Sequence, residues 1–313
     1  MSAKRLSASV TIIGCVQADV VMSPVSDLPA PGATLLADQA AVRVGGAGAN
    51  AALAAVELGL EVRLMGAIGD DQLGTLMREQ LAPAGLAAEL AVGAGDATGM
   101  TIVLESPIRD RTFLTFLGVN DRWEPGAIPD DALSCENLLL CDYFVAPRLR
   151  GAAALALLQT ARDRGARTFF DTSWDPDDFP PATRDEVVAL LPAVDVFLPN
   201  EIEACALADM PGDPAGAARA LRDISGGWVV VKLGPAGCLA AGPGDVEMSA
   251  PAPTGRVSDT TGAGDAFNAG VIHALAEGAD WPEALSQAAR FATEIVMRPS
   301  NDRYRHALTG VQR

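Results

Sequence analysis

The sequence predicts an α/β protein: a three-layer α/β/α sandwich with a mainly parallel central sheet and a small second β-sheet beside it. Three observations carry this. Short β-branched runs alternate with longer Ala- and Leu-rich stretches of helical spacing, the rhythm of βαβ units. The runs "LLL" at 138–140 and "VVV" at 229–231 lack polar alternation, as strands buried on both faces require. Two stretches, about 16–44 and 98–120, break the rhythm with extended, partly alternating segments.

Taken in order, "ASVTIIG" (8–14) reads as the first strand. Only two basic residues precede it and no small-residue cleavage site follows, so it is not read as a signal peptide. Residues 20–44 hold Pro24, Pro29, Pro31 and Gly32, then the extended "TLLADQAAVRV". "AGANAALAAVELG" (47–59) and "DQLGTLMREQLAPAG" (71–85) are helical, with the strand "EVRLMGAIG" between them. Residues 98–120 read as two strands joined by a polar turn around Arg109 and Asp110. "ENLLLCDYF", "ARTFFD", "VDVFLPN" and "GWVVVKLG" are four further strands, and "RGAAALALLQTARDRG" is a helix between the first two. In "DAFNAGVIHALAEG" (265–278), Ala266, Phe267, Gly270, Val271, Ala274 and Leu275 share one helical face. The polar tail 298–313 is expected to trail over the surface. The whole chain, 1–313, is read as one domain with the segments 16–44 and 98–120 inserted. Those segments are either a lid over a ligand or surface hairpins without function.

Composition narrows the function classes. A formal charge of −17 argues against nucleic-acid binding, which needs a clustered basic surface. Lysine occurs only as Lys4 and Lys232, and no Gly-Lys-Ser/Thr exists, which excludes a Walker loop. No apolar run reaches the roughly 18 residues of a membrane span. Five cysteines (15, 135, 141, 205, 238), odd in number and scattered in apolar stretches, read as free thiols of a reduced, cytoplasmic protein. With only His273 and His306, a multi-histidine metal site is not available.

Four glycine-framed or polar turns carry candidate chemistry. In "VGGAGANAALAAVELG", Gly45 and Gly46 allow close backbone approach to a ligand, and Gly48 with Asn50 opens a helix. Gly46, Gly48 and Ala51, with Asp70 about 20 residues on, also match a dinucleotide-binding pattern, although the convincing first strand ends earlier, at Gly14. In "DTTGAGDAFNAG", Gly262, Ala263 and Gly264 precede a helix whose first N–H groups have no intrahelical partner and form an anion site. Asp265 there is either a helix cap or an acceptor of a hydroxyl proton. In "LPNEIEACAL", Asn200 and Glu203 are either partners of hydrated Mg²⁺ or an N-cap with its capping box. In "VVVKLGPAG", Lys232 with Gly234 and Gly237 suits a nucleotide turn or a plain hairpin.

Together, in this order and spacing, these motifs resemble the ribokinase-like (PfkB) family of carbohydrate kinases from about residue 10 to 298. The resemblance implies an ATP-dependent kinase that phosphorylates a hydroxymethyl group of a sugar, sugar acid or related carbohydrate. Asp265 would be the base, and Gly262, Ala263 and Gly264 the anion hole. Asn200, Lys232, Gly234 and Gly237 would lie along ATP, and Glu203 would act on Mg²⁺ through water. Asp19, Gln17, Gly45, Gly46, Asn50 and Tyr143 would meet the substrate, with "CDYFVAPRL" (141–149) and "DTSWDP" (171–176) lining the pocket. The irregular segments become the family's β-sheet lid, whose edges could pair in a homodimer. Two departures stand out. Ala47 replaces a lysine frequent in such kinases, leaving Arg43 and Arg111 for any phosphate-bearing substrate. The family's monovalent-cation (K⁺) site would involve Asp259 and Thr261, yet "MRPSNDRY" lacks the glycine turn that completes it, so K⁺ activation is not expected. A nucleoside kinase of the same family is the alternative, with Phe113, Phe116, Trp174 and Tyr143 as candidate base contacts; a dinucleotide-dependent oxidoreductase is the remote one.

Overall fold

The β-branched residues of β1 (Ser9–Ile13) alternate between two cores, which sets the layering of the molecule. The structure is a computed structural model describing residues 9–87, 89–106, 111–299, 303, 304 and 307. The turn expected at Arg109 and Asp110, and His306, lie outside these.

After β1 come β2 (Gln17–Ser23), β3 (Gln39–Gly45), α1 (Ala47–Glu57), β4 (Glu61–Met65), β5 (Ala67–Gly69), α2 (Gln72–Leu81), β6 (Ala91–Gly93), β7 (Met100–Leu104) and β8 (Thr112–Phe116). The chain continues through β9 (Asn137–Leu140), α3 (Ala152–Asp163), β10 (Arg167–Phe170), α4 (Pro181–Val188), β11 (Val196–Phe197), α5 (Glu201–Leu207) and α6 (Pro214–Ser225). It ends with β12 (Trp228–Lys232), β13 (Cys238–Gly242), β14 (Val246–Ala250), α7 (Ala263–Ala276) and α8 (Trp281–Met297). Eight strands form the main sheet in the order β14-β13-β12-β11-β10-β9-β1-β4. Six of them run parallel; the antiparallel pair β13 and β14 at one edge was not legible as strands, because β13 is Gly- and Ala-rich without alternation and β14 is short and mostly exposed.

Strand alternation sends side chains to both faces. Ile12, Leu139, Phe169 and Val230 pack under α1, α7 and α8, while Ile13, Leu138, Phe170 and Val231 pack under α3 and α6. All eight are essentially buried, and each such side chain contributes about 1.5–3 kcal/mol relative to leaving it exposed. The result is an α/β/α sandwich whose parallel strands all end on one side.

The four segments outside the βα rhythm form their own sheet, ordered β3-β2-β7-β8. Register divides its faces chemically. One face carries Gln17, Asp19, Arg43, Thr101 and Thr115; the other carries Ala18, Val20, Val42, Ile102, Leu114 and Phe116. The tail does not trail over the surface throughout: Arg303, Tyr304 and Ala307 are buried. Glu57 on α1 draws it in, accepting from Arg298 Nη1 at 2.7 Å and from the Ala307 amide at 3.0 Å.

Candidate active site

The strands β1, β9, β10 and β12 end close to the N-termini of α1 and α7, and this convergence builds the site. The first shaping element is the sequence from Gly45 to Gly48. A Cβ on Gly45 would stand 2.1 Å from Asp19 Oδ1, so only glycine leaves that carboxylate its place. Gly48 lies against Gly14 of the β1 turn, where a Cβ would come within 2.5 Å of the backbone. Asp142, just after β9, ties the two together: its Oδ2 accepts the amides of Cys15 and Gly48, both at 2.8 Å. Burial, with Asp171 adding repulsion, pushes the Asp142 carboxyl up to about 6 against those amides.

Asp19 is buried on the polar face of the small sheet. Burial raises its carboxyl to about 6, while Arg43, Gln17 and Arg303 oppose the rise. Gln17 Nε2 donates to Thr101 Oγ1 at 2.7 Å, and Thr101 and Thr115 share a hydroxyl hydrogen bond of 3.0 Å across the strands.

Gly262 caps α7 with a left-handed φ of 75°, and no side chain satisfies the helix start. Ala263 N–H turns back to Thr260 O at 3.2 Å. Asp265, the third residue of the helix, does not cap it; its carboxylate lies beside the Asn50 side chain from α1, which favours the ionised form. The helix-cap alternative therefore does not describe this aspartate. Burial first, then the charges of Asp171 and Asp142, hold its carboxyl well above the ordinary range, with Lys232 and Asn50 pulling the other way. A raised pKa makes the ionised carboxylate a stronger base toward a hydroxyl proton.

Lys232, at the end of β12, donates to Asp171 Oδ2 at 2.5 Å and to Asn268 Oδ1 at 3.3 Å. Asn268 Nδ2 donates to the same Asp171 oxygen at 2.5 Å. The ammonium also stands beside the helix start, 3.5 Å from where a Cβ on Gly264 would be. Asn200 and Glu203 form a reciprocal capping box: the Glu203 amide donates to Asn200 Oδ1 at 2.9 Å, and Asn200 N to Glu203 Oε2 at 2.8 Å. Asn200 Nδ2 takes the remaining Glu203 oxygen at 2.7 Å. Burial and nearby Asp171 push that carboxyl up to about 7. The N-cap alternative thus holds locally, while leaving a buried carboxylate facing Asp171.

An apolar cavity of about 400 Å³ opens beside the 262–264 turn. Lys232, Gly234, Gly237, Ala263 and Gly264 line its polar end, and Phe267 with α8 its apolar wall. Asp259 and Thr261 lie together, the Thr261 amide donating to Asp259 Oδ1 at 2.8 Å. Burial alone would raise the Asp259 carboxyl, but Arg303, Arg43 and that amide hold it far below the usual range.

Tyr143 is not brought to the site. It lies in the second core, edge-on to Phe144 and Phe170, with its hydroxyl donating to Glu186 at 2.5 Å and accepting the Gly151 amide at 2.8 Å. Sequence reasoning passed over Asn268, Arg303 and Tyr304, and did not single out Asp142 and Asp171 within their segments. The last two had a readable signal: each is a carboxylate that closely follows a buried parallel strand, where α/β sheets place ligands. The dinucleotide pattern fails, because β3 before it belongs to the small sheet and Asp70 instead accepts the Gly95 amide at 3.0 Å.

Among the described residues, no helix is long and apolar enough to cross a membrane, and no group of three or more His, Cys, Asp or Glu is placed to hold a metal. A family model described as "pfkB family carbohydrate kinase" matches residues 7–303. The chain is 27% identical over 285 residues to the ribokinase of Haemophilus influenzae, covering 88% of each. Its fold superposes on Arabidopsis thaliana ribokinase complexed with ribose and ATP with a TM-score of 0.79, at 24% identity and covering 96% and 99% of the two chains. A putative ribokinase II from E. coli in complex with ATP and Mg²⁺ gives a TM-score of 0.79 at 21% identity, covering 93% of each.

Proposed function

Because the chain belongs to the pfkB family of carbohydrate kinases, phosphotransferases with an alcohol acceptor, we propose that it transfers the γ-phosphoryl group of ATP to a hydroxymethyl group of a sugar, sugar acid or related carbohydrate. The observation that carries this reading is Asp265. It stands uncapped in the first turn of α7, beside amides that no side chain satisfies, and shares Asn50 with the substrate side of the site.

In this reading Asp19 accepts hydrogen bonds from substrate hydroxyls, with Gln17, Gly45, Gly46 and Asn50 around it. Asp265 takes the proton of the attacking hydroxyl, and the amides of the 262–264 turn stabilise charge on the group in transit. Lys232, held by Asp171 and Asn268, adds a positive charge at the same helix start. The apolar cavity suits a purine and the Gly234–Gly237 turn the phosphates of ATP. Mg²⁺, when bound with ATP, neutralises phosphate charge. Glu203 and Asn200 would hold it through water, since both Glu203 oxygens are already hydrogen-bonded to Asn200.

A carbohydrate is favoured over a nucleoside by the aromatics. Of the four candidates, Tyr143 is in the core, Phe116 is on the apolar face of the small sheet and Trp174 packs edge-on against Phe179. Phe113 lies on the polar face, half exposed, with the Arg111 guanidinium already on its ring, 5.6 Å from the centre. The small sheet acts as the lid, and its apolar outer face supports a homodimer; Val42, Leu114 and Phe116 there are 42%, 51% and 54% exposed. Five free thiols, four of them buried, fit a cytoplasmic setting. Screening ATP consumption against sugars, sugar acids and nucleosides tests the reading. Turnover with a carbohydrate is expected, and turnover confined to nucleosides, or absent throughout, would refute it.

A further inference from the structure

The donors around Asp259 do not fit the monovalent cation that the family resemblance implies. Such an ion needs oxygen ligands with free lone pairs and a net negative surrounding. The Asp259 side chain is 2% exposed and meets three guanidinium groups. Arg43 Nη1 donates to Oδ2 at 2.9 Å, and Arg303 pairs with the same oxygen. Arg111 Nη1 stands 3.5 Å from Oδ1, which also takes the Thr261 amide at 2.8 Å, and Arg111 donates in addition to Thr261 Oγ1. Arginine keeps its charge at any working pH, so three permanent positive charges face one carboxylate. A K⁺ ion at Asp259 would enter that surplus of positive charge and compete for oxygens already engaged.

The three arginines come from distant parts of the chain: Arg43 from β3, Arg111 from just before β8, and Arg303 from the segment after α8. They meet on the turn that leads directly into Gly262 and the anion hole. We propose that these guanidinium groups replace the monovalent cation, as chain-borne charge that fixes the 259–262 turn, so that the enzyme works without K⁺. Arg43 belongs to the small sheet and Arg111 directly precedes one of its strands, so the same contacts tie the position of the sheet to the geometry of the anion hole. Arg43, Arg111 and Arg303 are positioning residues: they act on the reaction through Asp259 and Thr261. The proposal rests on the kinase reading for its catalytic consequence, while the absence of a cation site can be tested without activity.

The first test is binding of Tl⁺, a K⁺ surrogate, to the full chain in chloride-free buffer, followed by ²⁰⁵Tl NMR with KNO₃ as competitor. No saturable, K⁺-displaceable binding is expected; such binding overturns the proposal even if no carbohydrate is ever turned over. The second test is steady-state kinetics in KCl and in tetramethylammonium chloride at equal ionic strength. Rates should agree within about twofold, and stimulation by K⁺ of about tenfold overturns the proposal. The third is Arg303→Met, checked for folding by circular dichroism, with the less buried Arg111→Gln as a second variant. Each should lower kcat by about tenfold while KM for ATP changes by less than about threefold, and Arg303→Lys should recover part of the loss. Unchanged kcat in both variants, or no recovery with lysine, overturns it. Failure of the wild type to phosphorylate any carbohydrate in either salt refutes the kinase reading and leaves the Tl⁺ result to decide the cation question.

Discussion

Gly45 and Asp19 lie so close across strands β2 and β3 that a Cβ on Gly45 would stand 2.1 Å from Asp19 Oδ1 and 2.2 Å from its carboxyl carbon. The carboxylate occupies space that any other residue would fill. Gly45→Ala therefore has to turn Asp19 away from the substrate side. Its KM for the carbohydrate should rise about 10- to 100-fold, equivalent to roughly 1.4–2.8 kcal/mol of lost binding. KM for ATP should change little, and a carbohydrate KM equal to wild type would show that Asp19 does not contact the acceptor.

Asp265→Asn keeps the size of the side chain and its contact with Asn50, yet loses the ability to take a proton. The folded state should be intact by circular dichroism and thermal unfolding. Turnover should drop by about 10²–10⁴, the span usual for a general base. Retention of near wild-type turnover would remove Asp265 from the role of base.

Lys232 and Asp171 form a buried pair, with side chains 13% and 6% exposed. Lys232→Met leaves the Asp171 carboxylate without its charge partner, which costs about 3–5 kcal/mol in comparable buried pairs. Asp171→Asn added to it should recover much of that stability but not the activity, because the positive charge beside the helix start stays absent. Equal thermal midpoints for Lys232→Met and wild type would contradict the pairing.

The pH profile follows from the raised carboxyls. Asp265 lies well above the ordinary value of 3.8 and Asp19 at about 6, both chiefly through burial. In the proposed mechanism each works as an ionised acceptor, so activity is expected above the raised pKa and lost as the pH falls through it. The acid limb of kcat/KM for the carbohydrate should fall near or above pH 6 rather than near 4. A flat profile down to pH 5 would contradict the assignment of these two groups.

The outer face of the small sheet gives a test of assembly. Phe116→Asp places a charge on a surface where Leu114 and Val42 are also exposed. Light scattering after size exclusion should report a dimer for the wild type and a monomer for the variant, with the fold unchanged. A wild type that is monomeric at all concentrations would exclude the dimer.

The sequence by itself determined the layers and singled out the 262–264 turn as a candidate. Periodicity is a local property, and runs such as 138–140 and 229–231 state their burial without reference to the rest of the chain. The turn at Gly262 was legible for the same reason, since a left-handed φ of 75° is a local demand that glycine meets, whereas Gly45 makes room for Asp19 on another strand. The tertiary structure decided which polar residues face that turn. Asp142, Asp171 and Asn268 reach it from separate elements, and their hydrogen bonds span up to 127 positions in sequence. Tyr143 looked like a pocket residue by position, but its side chain points to the opposite core, because strand alternation past the end of β9 is set by packing. Arg303 looked like part of a polar tail. Its ion pair with Asp259 depends on Glu57 drawing the tail in at α1, a relation between residues 57, 259 and 303 that no local pattern encodes.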